Sequence, residues 1–298
     1  MKFNTDKFIF NQDFIFKNNR IHITPSGKSK IKKLKKLTGS RLGAALGNDD
    51  FKSPFQLWCD ILGMYQDESD RYFLDAGQII EPKLKDYAEK KIGKKFISYN
   101  PREIKFDLFS DNEIFGGIPD GEEIDSQGKV VSILEIKTAQ LDKYNWTFKN
   151  NQYMLDLTDG KPTVKTNGGG LVKWFKNGEV IIPKNYQDQL SLYLYLRKIN
   201  KGFFCVAFIK NEDYEDPRKV QFTSEFNSYK NYDVDKEISL PRNEHILIWK
   251  EHNINLEEFQ KTIDYAKKWY EDHVLKGVSP ELDEKDLTWF RYGYPELG

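Results

Sequence analysis

The sequence predicts an α/β fold in which a mixed central β-sheet is flanked by helices. Three observations carry that prediction. Helical periodicity dominates residues 38–92, segments of strand character follow between 96 and 137, and a strong helix at 185–199 leads into the apolar run FFCVAFI at 203–209. With 298 residues, 39% hydrophobic and 14% aromatic, the chain can bury a sizeable core.

The elements follow in order. Thr38-Gly39-Ser40 marks a helix start ahead of the small-residue stretch RLGAALG. Ser53 is placed to cap a second helix, SPFQLWCDILGMY, with Pro54 at its first helical position, where a missing N–H costs nothing. A third helix is expected over about 71–92, since Tyr72, Leu74, Ile79, Ile80, Leu84, Tyr87, Ala88 and Ile92 recur close to the helical repeat. Gly77 and Glu81-Pro82 predict a kink or break in its middle. Strands are expected at 96–99, 103–109, 113–118 and 130–137. Residues 172–182 (VKWFKNGEVII) read as a hairpin turning at Asn177-Gly178, a pair that accommodates the positive φ angles of such turns. Gly168-Gly169-Gly170 reads as a flexible break and not a phosphate loop, because no Gly-Lys-Ser/Thr follows. Beyond Lys210 come a polar loop, the strand HILIW, a helix over about 256–274 and an aromatic tail.

Composition narrows the function. The 46 basic and 46 acidic residues cancel, so bulk electrostatics predict no polyanionic partner, although residues 17–36 hold eight basic side chains and no acidic one. That block can track phosphates or form a solvated face. Cys59 and Cys205 lie far apart in apolar surroundings and read as buried free thiols. His22, His245, His252 and His273 lack ligand spacing, which argues against a zinc hydrolase. No apolar run reaches 18 residues and the N-terminus lacks the apolar stretch of a signal peptide, so a cytoplasmic protein without a membrane partner is expected.

The chemistry concentrates in GGIPDGEEIDSQGKVVSILEIKTAQ, residues 116–140. Glu135 and Lys137 occupy alternate positions of a strand and point to one face, while Ile136 points to the other. Alone, such a pair is usually an ion pair at a sheet edge. Asp120, however, ends the preceding strand segment, and the intervening turn, about GEEIDSQG, is short enough to bring the two strands alongside. Asp120, Glu135 and Lys137 can then converge. Two carboxylate ligands suit a hard cation such as Mg²⁺, and an ammonium beside them can orient an attacking water and stabilise charge on a phosphate.

Asp, then Glu-x-Lys, resembles the core of the PD-(D/E)XK nucleases, and Pro119-Asp120 supplies its first half literally. Gly77 to Pro82 resembles the helical acidic motif that many members add, here with Glu81. Gln189 and Tyr193 match the Gln-x-x-x-Tyr pattern of the RecB-type branch, one helical turn apart on a shared face. With LTGSRLGAALG and FKSPFQLW added, the chain looks like the YqaJ-like viral recombinases, the lambda exonuclease family, over residues 33 to about 209.

The resemblance implies a PD-(D/E)XK restriction-endonuclease-like core with Asp120, Glu135 and Glu81 as metal ligands, joined by the Ile136 carbonyl. Lys137 would be the catalytic lysine, and Gln189 would position the nucleophilic water. Ser40 and Lys33, with Arg41 and Tyr193, would hold DNA and its 5′-phosphate. It also implies Mg²⁺, with Mn²⁺ substituting, and 5′→3′ exonuclease action on double-stranded DNA ends. A single-strand annealing protein and a homo-oligomeric, ring-type trimer are the implied partners. The alternatives are a restriction-type DNA endonuclease and a non-catalytic DNA-end-binding scaffold. On this reading 1–30 is an N-terminal segment, 31–210 the nuclease core with an insertion at about 141–182, and 211–298 a C-terminal extension packed on the core.

Overall fold

The computed structural model describes residues 2–66, 71–149, 152–228, 240–241 and 243–297. At its centre is a four-stranded sheet of β1 (Gly121–Ile124), β2 (Val130–Gln140), β3 (Lys201–Ile209) and β4 (Ile246–Asn253), in the spatial order β4-β3-β2-β1. The β2–β3 pair is parallel and the other two are antiparallel, so the sheet is mixed as expected. From Gly202 to Ile209 every residue of β3 is buried, the unbroken apolar run of a strand covered on both faces.

Among the described residues there are eight α-helices: α1 (Pro25–Lys30), α2 (Gly39–Ala45), α3 (Pro54–Leu62), α4 (Tyr72–Ile92), α5 (Lys184–Arg197), α6 (Asn211–Glu215), α7 (Leu256–Trp269) and α8 (Glu284–Arg291); α4 and α5 flank the sheet. Strand alternation sorts the core. Leu134, Ile136, Phe203, Cys205 and Ala207 pack with Ile80, Leu84 and Ala88 of α4, whereas Ile133, Phe204, Val206 and Phe208 pack with Leu190, Tyr193 and Leu194 of α5. A third cluster joins Phe8, Phe14 and Ile21 to Leu42, Phe55 and Trp58, and to Ile263, Trp269 and Phe290. The first and last parts of the chain thus close around α2 and α3. Ser53 makes the expected cap, its Oγ accepting from the Gln56 N–H at 3.1 Å and Gln56 Oε1 accepting from the Ser53 N–H. The same hydroxyl donates to Asp286 at 2.5 Å and ties α3 to α8. Among the described residues no helix is long and apolar enough to cross a membrane.

Several expectations need correction. The α4 helix runs unbroken through Pro82; proline removes one N–H, while Ile80 and Leu84 on either side keep both halves packed on the sheet. Residues 103–109 form turns and no strand, with Lys105 and Phe106 in the left-handed region. Of 96–99 only Ile97 pairs, bonding to Glu122 in both directions. The 113–118 strand shrinks to Phe115–Gly116 and pairs with Leu37–Thr38 outside the central sheet. Asp120 precedes strand β1, and GEEI, read as part of a turn, is that strand. The Gly168–Gly170 run is a close contact: Gly168 N–H donates to Asp142 at 2.8 Å, and a Cβ on Gly170 would lie 2.0 Å from the Gln140 carbonyl oxygen. Of the 172–182 hairpin only Phe175–Lys176 and Glu179–Val180 pair, around Asn177-Gly178, both with positive φ; Leu171–Trp174 is a short helical turn instead.

At the outer edge of β4 one side chain stands in for a strand. Asn227, at φ 60°, donates its backbone N–H to Leu247 O at 2.8 Å. Its side-chain amide accepts from the Trp249 N–H and donates to the Trp249 carbonyl.

Candidate active site

The antiparallel register sets Gly121 opposite Leu134, so Asp120 falls beside Glu135. There Asp120 Oδ2 accepts the Ile136 N–H at 2.7 Å. Two residues on, Glu122 is fully buried and takes both oxygens to Arg197, at 2.6 and 2.9 Å, and one to the Tyr99 hydroxyl. This clamp fixes β1 to the end of α5, and hence to the helix that carries Gln189.

Glu135 is fully buried and its two oxygens are used differently. Oε1 accepts from Lys137 Nζ at 2.5 Å and from the Gln189 side-chain amide. Oε2 is buried with no hydrogen-bond partner. A buried polar atom without a partner is costly, and such an atom commonly marks a ligand or ion position. Burial, reinforced by the Asp120 carboxylate, pushes Glu135 up to about 8. Burial and Asp120 also raise Glu81, which approaches from α4 and accepts from Thr138 Oγ1 at 3.3 Å. Lys137 is held above its ordinary range: burial would lower it, but Glu135 and Asp120 override that effect. Asp120, Glu135, Lys137, Gln189 and Glu81, far apart in sequence, therefore meet at one end of the β1–β2 pair.

Glycines let the flanking elements close in. A Cβ on Gly77 would lie 2.9 Å from Thr138 Oγ1, so this residue admits α4 to the strand beside Glu81. A Cβ on Gly39 would lie 2.6 Å from Gln189 Cγ and 2.7 Å from the Tyr193 ring. Tyr193 itself is buried; its hydroxyl faces Gly117, and its ring stacks at 6.2 Å on Phe109. Gly39→Ala is therefore expected to displace Gln189 and to destabilise the protein by about 1–3 kcal/mol, the usual cost of overpacking. Thermal unfolding measures the second effect; an unchanged melting temperature would show that α2 yields freely.

The candidate phosphate-binding residues are placed apart from one another in role. Thr38 is the N-cap of α2, which leaves Ser40 inside the first turn and exposed, its Oγ 3.2 Å from that of Thr38. Arg41 pairs with Asp60 at 3.4 Å and donates to the Lys36 carbonyl. Burial would raise Asp60, but Lys35, Lys52 and Arg41 outweigh it and hold the carboxyl below its usual range. Lys36 is bound to Asp107 at 2.6 Å. Lys33 lines a surface groove of about 560 Å³ together with Lys36, Lys105 and Ser110. Asp107 links that groove to the site, since its Oδ1 accepts the Gly117 N–H three residues before Asp120.

Among the described residues no three His, Cys, Asp or Glu side chains form a ready metal cage. The donor set nevertheless fits Mg²⁺, which keeps several waters and is commonly bound through one or two carboxylates. Asp120 and the free Oε2 of Glu135 could supply that pair.

Sequence reasoning gave no role to Tyr186 or Thr138. The Tyr186 ring lies 5.2 Å from Lys137 Nζ, and Thr138 bonds Glu81. Thr138 was accessible from strand alternation, which turns it toward α4; Tyr186 had no motif to reveal it.

Residues 30–197 match the family model described as the YqaJ-like viral recombinase domain. The chain is similar to "Uncharacterized protein MG373" of Mycoplasma genitalium, 38% identical over 290 residues, 95% of this chain and 96% of that protein. Its homolog in Mycoplasma pneumoniae is 34% identical over 287 residues, 94% and 95% of the two chains. Two solved structures are also similar. An alkaline exonuclease (LHK-Exo) from Laribacter hongkongensis aligns with a TM-score of 0.46 at 11% identity, over 89% of this chain and 96% of that one. A phage related exonuclease from Haemophilus somnus aligns at 0.42 and 14%, over 82% and 96%. The family match, from residue 30 to residue 197, takes in more than half of the chain and every strand and helix that builds the site, and on that footing the chain belongs to the YqaJ-like viral recombinase domain family.

Proposed function

We propose that the chain is a Mg²⁺-dependent deoxyribonuclease that digests double-stranded DNA from its ends in the 5′→3′ direction. The observation that carries this reading is the divided Glu135 carboxylate, one oxygen held by Lys137 and Gln189 and the other buried without a partner, on a residue whose neighbour across the strand pair is Asp120. Asp120 and Glu135 Oε2 would hold the cation, with the Ile136 carbonyl and Glu81 extending the site; Mn²⁺ has the same hard-ligand preference and would substitute. When bound, the cation supplies Lewis-acid stabilisation of the phosphoryl oxygens and makes water a stronger nucleophile.

The chain's own residues do the rest. Lys137 places a positive charge where negative charge grows on the phosphate, and the Glu135 contact keeps that ammonium from swinging into solvent. Gln189 holds Glu135 from the helix side and leaves an uncharged amide to orient the water. Ser40 and Lys33 would take the terminal 5′-phosphate. On this reading the surviving strand would pass to a single-strand annealing protein, and a ring-type trimer would keep the enzyme on its substrate.

Linear duplex DNA with and without 5′-phosphates, and closed circular duplex, each incubated with the protein and Mg²⁺, test this. The phosphorylated linear form is expected to be degraded fastest and the circle to stay intact, because charge-assisted bonds in the pocket need a terminal phosphate. Ser40→Ala and Lys33→Ala should narrow the difference. Discrete cuts in the circle, indifferent to end chemistry, would replace this reading with a restriction-type endonuclease. Binding of ends without cleavage of any form would leave a DNA-end scaffold.

A further inference from the structure

The insertion between β2 and α5 reaches the centre of the site. Trp174, in the short helical turn Leu171–Trp174, packs edge-on against Phe208 at 5.5 Å and stacks on Tyr186 at 5.6 Å and 30°. Tyr186 in turn presents its ring to Lys137 Nζ at 5.2 Å. Phe208 belongs to β3, in register with Ala139 two residues beyond Lys137, so the aromatic column stands on the sheet that carries the lysine. Its base is pinned on several sides. Gly170 sits against the Gln140 carbonyl, Ile181 N–H donates to Trp174 O at 2.7 Å, Lys250 Nζ donates to Val180 O at 2.6 Å, and the Gln187 amide donates to Ile182 O at 2.6 Å.

A lysine has a flexible four-carbon stem and three donors, and a single carboxylate contact leaves it several rotamers. An aromatic face on its other side removes most of them and attracts the ammonium, more strongly where water is excluded. Burial raises the Tyr186 hydroxyl, Lys137 acts against that, and Asp49, Glu135 and Glu81 add to it, in keeping with a ring at the wall of the acidic site.

We propose that Tyr186, backed by Trp174, is a positioning residue that holds the Lys137 ammonium on Glu135, and that residues 168–182 of the insertion are thereby part of the active site. The proposal rests on the nuclease reading for its effect on turnover, but its geometric claim is testable without DNA. Tyr186→Leu keeps apolar bulk against Trp174 and removes the π face; Tyr186→Phe keeps the face and removes only the hydroxyl; Trp174→Leu removes the backing. Each variant is compared with the unaltered chain by thermal unfolding. Lys137 is then followed by mass spectrometry during reductive methylation with formaldehyde and borohydride in the absence of metal.

Lys137 is expected to be modified about tenfold faster in Tyr186→Leu, faster also in Trp174→Leu, and within about threefold of the unaltered rate in Tyr186→Phe, the scale of a desolvated cation–π contact. In DNA cleavage the same order is expected in kcat with little change in KM, and Tyr186→Phe should rescue it. A folded Tyr186→Leu protein whose Lys137 stays as protected as before would overturn the proposal. So would Tyr186→Phe behaving like Tyr186→Leu, since the hydroxyl and not the ring would then matter. If no variant and no unaltered protein cleaves DNA, the nuclease reading fails, while the Lys137 modification rates still decide the positioning role.

Discussion

Glu135→Ala is expected to leave linear duplex DNA intact in the presence of Mg²⁺, a loss of at least about 10²–10³ in rate, the scale of removing one preorganised electrostatic group from such a site. The expectation follows from the double duty of this carboxylate. Its removal deletes the unpartnered Oε2 offered to the cation and also releases Lys137 and Gln189 from Oε1. Asp120→Ala should fall comparably, because it removes the second ligand that the proposed site requires and the acceptor of the Ile136 N–H. Lys137→Ala removes the charge and its bond to Oε1 but leaves both carboxylates in place, and belongs at the lower end of the range. End-labelled duplex in Ca²⁺ should still be bound by all three, since the groove at Lys33 is untouched. Near-normal cleavage by any of them would remove that residue from the catalytic site and relocate the chemistry.

The second large effect is a pH-dependent metal response. Without a cation, burial and Asp120 hold Glu135 at about 8, well above its unfolded value of 4.5. Between those two values the folded protein retains a proton that the unfolded chain has released. The contribution of this group to metal-free stability is therefore greatest below pH 4.5 and declines as pH rises toward 8. A cation needs the ionised form, so apparent Mg²⁺ affinity should rise about tenfold per pH unit up to pH 8 and level off above it. Thermal unfolding with and without Mg²⁺ from pH 6 to pH 9 reads this directly: little stabilisation at pH 6, a growing shift to pH 8, then a plateau. A metal-induced shift of constant size across that range would mean that Glu135 is not the ligand. Glu81, raised by burial and Asp120, works in the same direction.

The candidate site was legible because each part obeys a short-range rule. Strand alternation sets Glu135 and Lys137 on one face, a helical turn aligns Gln189 with Tyr193, and the short turn between β1, which follows Asp120, and β2 returns one strand along the other. The failures arise where local bonding overrides periodicity. Ile104, Phe106 and Leu108 alternate like a strand, yet the Asn100 side chain accepts from the Arg102 N–H and Asp107 accepts from the Phe109 and Gly117 N–H groups, which winds the segment into turns. Gly168–Gly170 looked like slack because the sequence does not show the carbonyl it must approach. Tyr186 was invisible for a similar reason: Trp174 and Lys137, which give it a role, are brought to it only by the folded sheet.

Asn227 has a bearing on how this chain behaves among other chains. A sheet edge with open N–H and C=O groups is a template for further strands, and a protein with 21 phenylalanines and 16 tyrosines has ample material for such growth. Here the edge at Leu247 and Trp249 is occupied by one asparagine. The far edge is short and is met at Glu122 by Ile97 in both directions. Templated strand addition to the central sheet is thereby hindered at Leu247 and Trp249 on one edge and at Glu122 on the other. A companion docking at those positions has to be recognised through side-chain shape and charge and not through a borrowed backbone.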